Sequence, residues 1–257
     1  MAPFLATQRQ RYDDIGHQYT RTRREDPHIA ARIRAALGDA RTVVNVGAGA
    51  GSYEPRDRPV VAIEPSDVMA AQRGPALAPA IRASAGELPL RDGAADAAMA
   101  ILTLHHWDDE QERGVRELRR VASGPVVIVT FDPLISSQMW LIADYLPEVA
   151  RLDAKIFPTP DRVASWLGGT TRVQTLELVA DTPDWMLGSF WAHPERVLDP
   201  QARAATSGFA RLDARIVRRA VEAVSADLAS GAWDRRHGNL RALKAFDAGL
   251  RLITNLP

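Results

Sequence analysis

Two histidines stand side by side at His105 and His106, closing an apolar run that begins at Ala97. Imidazole is the side chain whose charge changes nearest neutral pH, so one of the pair can act as a base or an orienting donor. A buried histidine bonded to backbone accounts for either residue equally well. Adjacent side chains point in different directions, which argues against a chelating metal pair. Upstream, the β-branched run Thr42-Val43-Val44-Asn45-Val46 stops at Gly47-Ala48-Gly49-Ala50-Gly51. Glycines there let backbone approach a ligand closely, and the small Ala48 and Ala50 keep the passage clear. A second run, Val60-Val61-Ala62-Ile63, ends on Glu64. Its carboxylate either favours the start of a following helix through the helix dipole or offers two oxygens to two vicinal donors.

Other chemistries fit less well. A dinucleotide-binding turn has its third glycine at GxGxxG spacing, and that position is Ser52. No lysine follows the glycines, which excludes a Walker-type phosphate loop. The 257 residues contain no cysteine, so disulfides, thiolate nucleophiles and cysteine-held metals are ruled out. Lys+Arg and Asp+Glu are both 32, and zero net charge speaks against a general grip on nucleic acid or an anionic membrane. Only Lys155 and Lys244 are lysines; the other cations are arginines, suited to planar binding of carboxylate or phosphate but equally explained by biased composition. The stretch from Ala94 to Leu104 contains Asp96 and falls well short of the about 20 apolar residues that span a bilayer. The first nine residues lack a basic region followed by an apolar core, so a cytoplasmic protein is expected.

These residues need a scaffold. The segment from Pro3 to Leu37 predicts helix in two pieces broken near Asp26-Pro27, the second stopping at Gly38. Strands are predicted at 42–46, 60–64, 80–83, 97–104 and 125–131, a sixth over Thr171 to Val179 and a seventh over Gly249 to Thr254 beside it. Helices are expected from Ser66 to about Arg73, from Asp108 to Val121 and from Asp161 to Leu167. Pro55 and Pro59 leave room only for a short or irregular first crossover. The β-α alternation predicts an α/β, mostly parallel sheet, with ligands outside the carboxyl ends of its strands. Residues 181–247 predict mainly helices, with Trp185, Phe190, Trp191 and Phe209 near their start.

Four features in order resemble the class I methyltransferases that use S-adenosylmethionine (SAM), particularly the small-molecule group including the ubiquinone and menaquinone biosynthesis enzymes. They are the glycine turn, Glu64, the stretch Ala83-Ser84-Ala85-Gly86-Glu87-Leu88-Pro89-Leu90, and the His105-His106 ending. The resemblance is good over residues 8–131, loose through the last strand, and reaches the helical region by fold analogy. It implies one Rossmann-like domain of seven strands: lid helices at 1–38, a core at 39–180, a helical insertion at 181–248 and a last strand at 249–257. It also implies that Asn45, Gly47, Ala48, Gly49, Glu64, Pro65, Met69, Ser84, Ala85, Leu102 and Arg23 bind SAM and its product S-adenosylhomocysteine (SAH). Glu64 would take the ribose hydroxyls. Ser84 stands where the family has an acid for the adenine, and Asn45 where it often has an acid for the methionine end.

Methyl transfer from a sulfonium is an in-line displacement that needs alignment in a dry pocket and no metal. His106, His105 and the lid residue Tyr19 are the expected catalytic residues. The segment from Arg11 to Arg24 resembles the family's lid helix, which implies that Tyr19 and Arg23, four apart on one helical face, touch the SAM carboxylate. Tyr12, Trp107, Asp132, Trp140, Tyr145, Trp185 and Trp191 are expected to line an apolar acceptor pocket. The expected partner is a small hydrophobic or conjugated metabolite methylated on O, N or C by a monomer or homodimer, with no nucleic acid or membrane involved. Arginines at 9, 11, 21, 23 and 24 also admit an isoprenyl diphosphate as a carbon acceptor. Asn45 and Ser84 admit a protein of this fold that binds SAM without catalysis.

Overall fold

The computed structural model describes residues 24–204 and 206–256. Helix α1 (Pro27–Leu37) opens this part; the Asp26 carboxylate caps it by accepting the His28 and Ile29 N–H groups, and Gly38 closes it. The piece predicted before it lies outside the described residues. The sheet follows as β1 (Val43–Val46), β2 (Val60–Ile63), β3 (Ala80–Ile81), β4 (Ala97–Ile101) and β5 (Val126–Phe131). It ends with β6 (Thr170–Thr175) and the last strand of the chain, Leu250–Leu256. The spatial order is β3-β2-β1-β4-β5, then the last strand, then β6. The first five pair in parallel, whereas the last strand runs antiparallel to both β5 and β6. This is the expected Rossmann-like sheet of seven strands.

Each central strand is buried on both faces, and alternation sends its side chains to two apolar layers. Val43, Met99, Val127 and Val129 pack with α1 and the helical region, while Val44, Val46, Ala98, Ala100, Val126 and Ile128 pack on the other side. That second layer includes Val115 and Leu118 from helix α3 (Gln111–Val121), which follows the short α2 (Asp67–Ala71) in the chain. Between β1 and β2 the described chain forms only turns and bends.

Several boundaries differ from expectation: β3 stops at Ile81 rather than 83, and β4 stops at Ile101 rather than 104, where the chain bends into a 3-10 turn over Leu104–His106. The predicted sixth strand is divided: β6 stops at Thr175, and β7 (Leu178–Val179) instead pairs with β8 (Ala245–Phe246) in a two-stranded ribbon. This leaves Leu250–Leu256 as β9. The charged helix begins at Gln111 after a 3-10 turn over Asp108–Glu110.

Beyond β5 come α4 (Pro133–Ser136), α5 (Pro147–Ile156) and α6 (Pro160–Leu167), the last stopped by Gly168. The later helical region contributes α7 (Pro200–Ala204), α8 (Ser207–Ala210), α9 (Ala214–Ala229) and α10 (Ala232–His237). Among the described residues no helix is long and apolar enough to cross a membrane.

Candidate functional site

The glycine turn crosses the carboxyl end of β2. Gly47 and Ala48 both donate their N–H groups to the Ile63 carbonyl, at 2.9 and 3.0 Å. Gly47 has φ +70°, and a Cβ there would sit 2.0 Å from Thr103 Oγ1, so both conformation and space demand glycine. Just past the same strand, Glu64 is 6% exposed. One of its oxygens accepts Gly49 N–H and the other Ser66 N–H, each at 2.8 Å. These donors fix the carboxylate plane and leave acceptor capacity on both oxygens. Burial nevertheless raises its pKa above the ordinary value, opposed by those two donors, Arg73 and Arg82. The Ser66 hydroxyl caps α2 by accepting Met69 N–H at 3.3 Å.

Beneath the turn lies a buried polar network that sequence reasoning missed. Glu54, in the helix-free crossover, accepts from both Arg73 amino groups at 3.0 and 2.8 Å and from Asn45 Nδ2 at 2.9 Å. The Arg73 and Glu54 side chains are 3% and 1% exposed. Arg73 also reaches the Gly49 carbonyl at 3.3 Å, tying the network to the turn. Thus an acid is supplied beside β1 after all, from Glu54 rather than position 45. Because Glu54 holds the Asn45 amide nitrogen, Asn45 Oδ1 is left buried with no hydrogen-bond partner among the described residues.

A cavity of about 510 Å³ spans these parts. All ten of the predicted cofactor residues that are described line it: Asn45, Gly47, Ala48, Gly49, Glu64, Pro65, Met69, Ser84, Ala85 and Leu102. Arg23, Tyr19 and Tyr12 lie outside the described residues. SAM fits the chemistry of this cavity: the fixed Glu64 carboxylate keeps acceptor capacity for two hydroxyl donors, and glycine backbone lies open to close approach beside it.

The turn after β4 carries the histidines. Leu102 adopts φ +54°, sparsely populated for a residue with a side chain, and its N–H donates to Val129 O at 2.8 Å. A 3-10 turn over Leu104–His106 then buries both imidazoles, their ring centres 3.7 Å apart. Phe157, just past α5, stacks on His105 at 4.3 Å. A second, smaller cavity of about 70 Å³ lies on this side, lined by His105, Phe131, Met139, Phe157 and Met186 among others. Leu102 and His106 line both cavities.

The aromatic residues predicted for the acceptor pocket go elsewhere. Trp107 lines the larger cavity, where it packs by Ala85 and over Gly114. Trp140 and Tyr145 are core: the indole donates to Trp191 O at 2.9 Å and the phenol to Asp227 at 2.6 Å. Trp191 is fully buried against Phe246, and Trp185 lies under the Arg196 guanidinium. Asp132 caps α4 by accepting Leu134 N–H. Large apolar surfaces gain most by burial, and the polar atoms of Trp140, Tyr145 and Asp132 each have a local partner, whereas the buried Trp191 indole N–H has none among the described residues.

Comparison with known proteins agrees with the geometry. A family model described as "Methyltransferase domain" matches residues 44–128. No curated protein matches the sequence. The structure of a candidate methyltransferase from an antibiotic biosynthesis pathway of Anabaena variabilis superposes with TM-score 0.83 and 28% identity, over 91% of this chain and 98% of that one. The phosphoethanolamine N-methyltransferase 2 of Haemonchus contortus, solved with SAM, superposes with TM-score 0.58 at 13% identity, over 99% of this chain and 60% of that one, and shows the fold alone. None of these matches singles out the ubiquinone and menaquinone branch. Among the described residues no cluster of acidic and histidine side chains is arranged to hold a metal ion.

Proposed function

We propose that this chain, a class I SAM-dependent methyltransferase, methylates a small and largely apolar metabolite held in the smaller cavity. The observation that carries this reading is the wall common to both cavities, Leu102 and His106. A cofactor over the glycine turn and an acceptor beside the histidines meet there.

The bound cofactor supplies an electrophilic methyl group on a sulfonium. The protein's share is alignment and exclusion of water. Glu64 takes the ribose hydroxyls, Asn45 lies at the methionine end, and Ser84-Ala85 flank the adenine. Leu102, held in its strained turn by Val129, shapes the passage between the cavities. His106 receives any proton the acceptor loses, and His105, stacked on Phe157, packs against it. Phe131, Met139 and Met186 keep the acceptor dry.

Titration calorimetry with SAH tests the cofactor site. Glu64→Ala is expected to weaken binding by about 1–3 kcal/mol, the loss of two charge-assisted bonds. Unchanged affinity would show the ribose assignment wrong.

A further inference from the structure

Tyr53 stands beside Glu54 in the crossover between β1 and β2. Its φ is +64°, a backbone conformation open to glycine but sparsely populated for a residue with a side chain. Such strain persists only where the surroundings hold it, and a tyrosine kept there points to a use for its side chain. Among the described residues the non-glycine positions with positive φ are Tyr53, Leu102 and Asp108, and all three line the cofactor cavity.

The bonds of Tyr53 reach well beyond that cavity. Its N–H donates to Glu25 Oε1 at 3.0 Å. Its hydroxyl accepts Asp26 N–H at 3.1 Å and donates to Asp184 Oδ2 at 2.8 Å, a partner 131 residues on. Asp26 is the cap of α1, and Asp184 is 2% exposed. The next residue, Glu54, holds Arg73 and Asn45 under the glycine turn. Two consecutive residues of one short crossover therefore grip the cofactor turn on one side and the helical region on the other.

Asp184 in turn begins the wall of the smaller cavity. Its carbonyl accepts Met186 N–H at 2.8 Å, and the Met186 carbonyl accepts Ser189 N–H at 2.9 Å. Met186, Leu187 and Gly188 line the smaller cavity, and none of the three lines the larger one. A Cβ on Gly188 would sit 3.1 Å from both Phe131 and Leu178, so this segment cannot shift without disturbing Phe131, which belongs to the same wall.

On the reading that the larger cavity holds the cofactor and the smaller one the acceptor, we infer that Tyr53 is a positioning residue for methyl transfer. Its hydroxyl, through Asp184, sets the 186–188 wall of the acceptor cavity against the cofactor turn. A hydrogen bond to a carboxylate in a low-dielectric interior is among the stronger ones. Alignment is where it counts, because a misplacement of about 1 Å can cost about a hundredfold in rate. The arrangement also links the two cavities: a cofactor that steadies the crossover steadies the acceptor wall with it.

Hydrogen exchange of the full chain, followed by mass spectrometry with and without saturating SAH, tests this. SAH is expected to slow exchange at residues 47–51, and to slow it at 184–189 by at least about fivefold, the low end of couplings between sites. The amides of β6 are the reference for general stabilisation. In Tyr53→Phe, at an SAH concentration that calorimetry shows to be saturating, protection at 47–51 is expected to remain while 184–189 returns to its unliganded rate. Asp184→Asn keeps an acceptor for the phenol and is expected to retain part of the protection. No slowing at 184–189 beyond that of β6 in the wild type, or equal slowing in Tyr53→Phe, overturns the inference. If Tyr53→Phe does not fold, Asp184→Ala breaks the same bond from the other side and is judged by the same outcomes. Failure of SAH to bind, or to protect 47–51, overturns the cofactor reading instead.

Discussion

Glu54→Ala is the sharpest perturbation of the scaffold beneath the cofactor turn. The substitution deletes the acceptor of three hydrogen bonds, two from Arg73 and one from Asn45 Nδ2. It leaves the Arg73 guanidinium, 3% exposed, without its counter-charge. Breaking a buried pair from one side costs about 3–5 kcal/mol, because the remaining charge stays desolvated. For a chain of this size that lowers the melting temperature by about 6–20 °C. The double variant Glu54→Leu/Arg73→Met removes both charges and fills similar volume, so it is expected to recover about 2 kcal/mol or more of the single loss. Recovery is incomplete because Asn45 Nδ2 still lacks its acceptor. Urea unfolding of the wild type and both variants measures these differences directly. SAH titration of the same proteins reads the second consequence: with Arg73 and Asn45 released, Gly49 and Asn45 Oδ1 lose their fixed positions, and affinity falls in both variants. A single variant that costs under about 1 kcal/mol, or a double variant no more stable than the single, would refute the claim that this pair is a balanced buried charge.

Other outcomes follow from the same geometry. Gly47→Ala places a Cβ 2.0 Å from Thr103 Oγ1 at φ +70°, so it is expected to weaken SAH binding at least tenfold and to lower thermal stability; near-wild-type calorimetry would show that the turn tolerates a side chain. Glu64 binds hydroxyl donors best when ionised, and its pKa is raised by burial. SAH affinity is therefore expected to fall on acidification at a pH above that of an ordinary glutamate, and titrations across pH 4–7 check this as an order-of-magnitude window. The stability sign is opposite: a carboxyl with a raised folded pKa binds more protons folded than unfolded, so its contribution to unliganded stability declines as pH rises through that folded value. Unfolding midpoints of unliganded wild type and Glu64→Gln over the same range separate the two effects, since the amide does not titrate.

The parts legible in the sequence were those coded locally. The β-branched run into Gly47-Ala48-Gly49, the acid ending β2, the Ser66 cap and the Gly38 and Gly168 stops each depend on neighbours a few residues away. The alternation of β and α segments likewise predicted a mostly parallel sheet, which placed the ligand site outside the carboxyl ends of its strands. The divided sixth strand was less legible because Thr170–Thr175 and Leu178–Val179 share one β-rich run, and only the separate partners β9 and β8 divide it.

Tertiary structure alone decided the polar pairings and the fate of the aromatics. Nothing near Asn45 in the chain announces that an acid nine residues on will hold its amide, nor that Arg73 will neutralise that acid. Asp153 and Arg211 read as ordinary surface charges until α5 and the turn after α8 bring them together in the wall of a cavity. Trp140, Tyr145 and Trp191 carry the composition of a ligand pocket, yet the same large apolar area makes them core. Type and short-range spacing select the backbone that cradles a ligand, whereas burial assigns partners to charges and rings, and burial exists only once distant segments have packed.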